Sequence, residues 1–147
     1  MAKLLLLDFE ATDLDTKTAR ITEYCFHVWD TVSGESRETS GYLYDSTYPV
    51  LSKEIQELTR ITPELLMEKG QNPAAVLDRL AQTMVHMDFL VGHNIFGYDL
   101  PLLLSECKRH TVVFPKVKVV DSMTDLPFGP RIKSRRLMSG GRLVPSS

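Results

Sequence analysis

Residues 4–13 read LLLLDFEATD: four leucines followed at once by three acids within six positions. Four consecutive leucines have no helical periodicity, and the run is too brief for an independent helix, so Lys3 to Asp8 is expected as a buried strand in the middle of a sheet. Negative charge collected at the tip of such a strand is self-repelling unless a cation joins it. In an extended segment positions 8 and 10 point to the same side, so Asp8 and Glu10 present two carboxylates together. Hard oxygen ligands of that kind suit magnesium or manganese.

Outward from this stretch, "ITEYCFHVWD" (21–30) alternates and is rich in aromatic and β-branched residues, then meets the turn-like "SGES" and a third run over Thr39 to Tyr44. The three runs predict an antiparallel meander. Past Tyr48-Pro49 the period changes: Ile55, Leu58 and Ile61 space helically, and Thr62-Pro63-Glu64 reads as a helix start with Thr as cap and Pro in the first position. Asn72-Pro73 opens a further helix in the same way, its apolar stripe formed by Val76, Leu77, Leu80, Ala81, Met84 and Val85. Phe89 to Val91 is a short strand running into Gly92-His93-Asn94. A helix from about Gly97 to Arg109 follows, with Leu100, Leu103, Leu104 and Cys107 on one face, and Val117 to Val120 forms a last strand ending at Asp121. The pattern predicts an α/β fold: a mixed β-sheet, antiparallel meander plus parallel strands, flanked by helices, with polar clusters at three strand ends. Asp99, at the start of a helix whose next residues are nearly all apolar, serves either as a first-turn charge or as a third acid beside Asp8 and Glu10.

Composition narrows the class. A chain of 147 residues with 43% hydrophobic and 24% charged residues is that of an ordinary globular domain rather than a disordered or fibrous one. The net charge of −2 hides an asymmetry, because residues 126–147 carry +5 with no acid and leave −7 for residues 1–125. The basic stretch reads as a loose tail, either an arm for nucleic acid or a solvated end, and residues 1–125 as one domain. Two cysteines, Cys25 and Cys107, are too few for a disulfide framework and fit thiols in a reducing cytoplasm. No segment has the length of a membrane span.

"LLLLDFEATD" resembles the first motif of the DEDD (DnaQ-like) 3'-5' exonuclease superfamily, and "GHNIFGYDLPLL" (92–103) is similar to its second. "LTRITPELLMEKGQNPAAVLDRLAQTM" between them resembles the linking segment, in which Gly more often stands at Arg60. The likeness implies a ribonuclease H-like fold and hydrolysis of phosphodiesters at nucleic-acid 3' ends, single-stranded or frayed, DNA before RNA. It implies two Mg2+ or Mn2+ ions. Asp8 would bridge them, Glu10 would bind one and help position the attacking water, and Asp99 would serve the second. Phe9, Thr12 and Leu14 would contact the terminal nucleotide by main chain and by packing on the base, and His93 and Asn94 would line the groove. A polymerase or another replication or repair protein is the kind of partner implied.

The resemblance also implies a third motif that supplies a general base, His with Asp five residues on or Tyr with Asp four residues on. Neither spacing occurs anywhere in the chain. Asp121 is expected as a turn or cap residue rather than a ligand, and the domain as a C-terminally truncated one. Two rival readings follow: a non-catalytic module that binds nucleic-acid ends, and a magnesium-dependent phosphatase, for which Glu10 is one methylene too long and a downstream Asp pair is missing.

Overall fold

The computed structural model describes residues 2–123. Three strands come first: β1 (Lys3–Ala11), β2 (Ile21–Asp30) and β3 (Ser36–Leu43). Helices α1 (Lys53–Thr59) and α2 (Pro63–Lys69) follow, then the two-residue strand β4 (Gly70–Gln71) and helix α3 (Pro73–Met84). β5 (Phe89–Gly92), a π-helical turn (Ile95–Asp99), α4 (Leu100–Arg109) and β6 (Lys118–Asp121) complete the described chain. The sheet order is β4-β3-β2-β1-β5-β6, which puts the leucine strand near the centre as its sequence requires. β1 pairs antiparallel with β2 and parallel with β5. The basic stretch from residue 126 lies outside the described residues.

β1 runs three residues past the expected end at Asp8, and this extension carries the acids. Along it Leu5, Leu7, Phe9 and Ala11 are buried while Leu4, Leu6, Asp8 and Glu10 are half-buried, the alternation of a strand with one covered face. The covered face meets Phe26 and Tyr24 of β2, Val76, Leu77, Leu80 and Met84 of α3, and Leu102, Leu103 and Cys107 of α4 in one core. Each such large side chain, fully buried, contributes roughly 1.5–3 kcal/mol. A smaller cluster of Leu51, Ile61 and Leu66 packs α1 and α2 against Tyr42 and Tyr44.

Caps set the helix ends where the sequence places them. Ser52, Thr62 and Asn72 each accept from the backbone N–H three residues on. Helix α1 stops at Thr59 because Arg60 turns left-handed (φ 64°), so Ile61 lies between helices and Leu58 stays 43% exposed, contrary to their expected helical stripe. The left-handed backbone also accounts for the Gly that more often stands at this place. The face expected on α4 is rotated: Leu102, Leu103, Glu106 and Cys107 are buried, whereas Leu104 is 48% exposed. A π-turn inserts an extra residue ahead of α4, which shifts the phase of everything after it.

Candidate active site

Asp8 and Glu10 sit on consecutive outward positions of β1, about 7 Å apart along the strand by its rise. Across the antiparallel ladder Asp8 faces Cys25 and Glu10 faces Glu23. Two glutamates directly opposite repel each other, and the register slips between Glu10 and Ala11, immediately beyond that pair. Glu23 was not singled out from the sequence, because only the register reveals it.

The second cluster is built by a tight backbone. Asn94 is left-handed (φ 54°), and its carbonyl accepts from the N–H groups of Gly97 and Tyr98 at 3.1 and 3.2 Å at the entry to the π-turn, whose wider bond runs from the Leu100 N–H to the Ile95 carbonyl. A Cβ on Gly97 would fall 2.7 Å from Asn94 Oδ1, so any larger residue there would have to displace the Asn94 side chain. The Asn94 N–H donates to Asp121 Oδ1 at 3.0 Å, and Met123 N–H donates to the same oxygen at 2.9 Å. Asp121 is thus the expected turn residue. Asn94 ties β5 to the π-turn through its main chain, and His93 is half-buried at the strand tip. Asp99 ends the π-turn with 2% of its surface exposed.

The two clusters meet at Tyr98. Its hydroxyl donates to the carbonyl of Asp13 at 3.0 Å, pinning the β1–β2 connection to the π-turn. Burial raises the Tyr98 phenol above its ordinary range, and the charges of Asp99, Glu10, Asp13 and Asp8 raise it further. Carboxylates from two separate segments therefore act electrostatically on one phenol. They do not form the compact three-carboxylate nest that the sequence suggested. Among the described residues no group of three or more His, Cys, Asp or Glu side chains is close enough to hold a metal ion. The donor set still fits magnesium, which keeps several waters and is commonly held by one or two carboxylates together with substrate phosphate.

The remaining expected contacts divide. Leu14 is 58% exposed beside Asp13, where it can meet a ligand. Thr12 closes the neck of the loop: its N–H donates to the Arg20 carbonyl and its Oγ1 accepts from the Arg20 N–H, both at 2.9 Å. Phe9 is corrected by its position: the ring is 4% exposed and packs edge-on to Phe26, centroids 6.3 Å apart, on the face opposite the acids. Only its main chain is on the side of the acids. Tyr98 and Asp13 were missed, although Tyr98 stands inside the quoted second motif.

A family model described as "Exonuclease", that of RNase T, matches residues 5–127. No curated protein matches the chain by sequence. Among solved structures, E. coli exonuclease I in complex with a dT13 oligonucleotide superposes with a TM-score of 0.74 at 16% identity, over 84% of this chain and 28% of that one. Exonuclease I in its apo form gives 0.75 at 16% identity, over 84% and 29%. The product-bound form gives 0.75 at 16% identity, over 84% and 30%. The fold is thus the ribonuclease H-like one of these exonucleases, and the chain spans less than a third of the length of each.

Proposed function

The chain belongs to the exonuclease family of RNase T, and from that premise we propose that it engages nucleic-acid 3' ends, single-stranded DNA first, and hydrolyses them in the 3'-5' direction with divalent metal ions. The observation that carries this reading is the Tyr98–Asp13 hydrogen bond, which holds the connection after Asp8 and Glu10 against the π-turn that ends at Asp99. Asp8 and Glu10 would hold one Mg2+ or Mn2+ and Asp8 and Asp99 a second. Bound there, the ions would neutralise the charge that develops on the attacking and leaving oxygens of a phosphodiester.

The chain's own residues do the rest. Glu10 orients the attacking water from the outward face of β1. Leu14 packs on the terminal base, and the main chain at Phe9 and Thr12 fixes the sugar and its 3' hydroxyl. His93 and Asn94 border the path of the strand. The oligonucleotide complex of exonuclease I supports a single-stranded DNA ligand, although it speaks for that protein. Within residues 1–147 neither His nor Tyr stands at the spacing of the third motif; general-base help of that kind is typically worth roughly 10²- to 10⁴-fold. No helix among the described residues is long and apolar enough to cross a membrane. We place the chain in the cytosol, where a replication or repair protein, a polymerase among them, is the partner proposed.

Oligonucleotides labelled at either end, incubated with manganese, test the proposal. Slow stepwise loss from the 3' end, or end binding that manganese promotes, is expected for the parent and not for Asp8→Ala. Equal behaviour of the two would refute the assignment.

A further inference from the structure

Away from these acids, the structure buries a second set of charges. Glu106 of α4 is 0% exposed and Arg20, just before β2, is 4% exposed. Arg20 Nε donates to both carboxylate oxygens of Glu106 at 3.2 Å, and the Ile21 N–H donates to Oε2 at 2.7 Å. Arg109 Nη1 adds a contact to Oε1 at 2.9 Å. The rest of the Arg20 guanidinium is also engaged: its Nη1 donates to Thr47 Oγ1 at 2.7 Å, its Nη2 lies 3.2 Å from His110 Nε2, and Tyr48 lies beneath with its ring centroid 4.2 Å away. Tyr48 in turn donates to the Ile21 carbonyl at 2.6 Å. All three Arg20 guanidinium nitrogens and both Glu106 oxygens have partners, so the pair is built rather than accidental.

Its place in the fold is what matters. Glu106 lies seven residues beyond Asp99, two turns along the same side of the helical segment. Arg20, through Thr12, closes the neck of the loop that follows Asp8 and Glu10. The segment 98–106 is therefore stitched to the β1–β2 connection at two heights: Tyr98 to Asp13 near the acids, and Glu106 to Arg20 and Ile21 below. Well-packed apolar side chains often replace a buried ion pair with no loss of stability, and such a pair is best attested where it fixes one arrangement among several.

We propose that the Arg20–Glu106 pair is a positioning strut that sets Asp99 relative to Asp8 and Glu10 and so fixes the spacing of the metal ligands. This rests on the reading of those three acids as metal ligands. R20M/E106Q removes both charges while leaving an amide oxygen for the Ile21 N–H. R20K keeps a charge but loses the planar fork, and L77A loosens the core from α3 instead. The readout is the affinity of each folded protein for Mn2+ alone, measured by electron paramagnetic resonance well below its unfolding temperature. The strut predicts at least tenfold weaker binding for R20M/E106Q, at least threefold weaker for R20K, and no change for L77A. R20K serves alone if the double variant does not fold. Unchanged affinity in the Arg20 variants, or an equal loss in L77A, would overturn the strut. If the parent shows no saturable Mn2+ binding that Asp8→Asn removes, the metal reading itself fails, and the strut's task with it.

Discussion

Replacing Tyr98 by Phe removes one hydroxyl and nothing else. That hydroxyl makes a 3.0 Å hydrogen bond to the Asp13 carbonyl from a side chain only 7% exposed. A bond of this kind contributes about 1 kcal/mol net. Asp13 lies at the surface, so water can take up its carbonyl and keep the cost near or below that figure. For a chain of this size about 1 kcal/mol corresponds to a fall in Tm of roughly 3 °C. The same bond holds residues 12–14 beside the acids. Its loss leaves that segment to be ordered on binding, and about 1 kcal/mol is roughly a fivefold loss of affinity for a DNA end. Thermal unfolding and fluorescence anisotropy with a single-stranded oligonucleotide measure the two effects. Alkaline titration followed near 295 nm adds a check, because burial and the surrounding carboxylates raise the Tyr98 phenol, so its ionisation should appear only with unfolding. A Tyr98→Phe protein with unchanged Tm and unchanged DNA affinity would refute the claim that this bond joins the two segments of the site.

Other consequences follow from single residues. Arg60 adopts φ 64° at an exposed helix end, so Arg60→Gly should raise stability by about 0.5–1 kcal/mol in denaturant titration; destabilisation would contradict the strain. Burial, then the Glu106 charge, pushes the Cys107 thiol up to about 11, so iodoacetamide at pH 8 should spare it in the native protein and label it on unfolding. Burial acts to raise the Asp45 carboxyl, but hydrogen bonds from Thr47 and the Arg20 charge outweigh it and leave it below the ordinary carboxylate range. The folded value is depressed, so the associated stability is full above the unfolded carboxylate range and disappears as pH falls through the folded value. With the side chain 27% exposed, no more than about 1 kcal/mol is involved. Asp45→Asn should flatten that part of the Tm profile between about pH 5 and 2.

The elements that could be read from the sequence are those specified locally. β2 has the expected bounds because "ITEYCFHVWD" is rich in aromatic and β-branched residues up to the turn that follows, and α3 because Asn72-Pro73 supplies a cap and a first turn ahead of a regular stripe. The π-turn was not legible: it depends on the Leu100 N–H reaching back to the Ile95 carbonyl and on the close approach of Gly97 to Asn94, neither of which has a periodic signature. That local event rotates α4, so Leu104 emerges where Leu102 is buried. Asp8, Glu10 and Asp99 could be singled out as candidates from their places at a strand tip and a helix start, whereas Glu23 is found opposite Glu10 only through strand register, and strand alternation turns the Phe9 ring into the core. The Arg20–Glu106 pair joins residues 86 apart, and no local pattern could have announced it.

The central claim is that the acids of β1 and the aspartate ending the π-turn serve one divalent-ion site. A crystal of the chain soaked in manganese, with an anomalous difference map recorded at the manganese edge, tests it most directly. The account predicts a peak within coordination distance of Asp8 and of Glu10 or Asp99, absent from Asp8→Asn crystals treated alike. A map with no peak there, or one that survives the substitution, would contradict it.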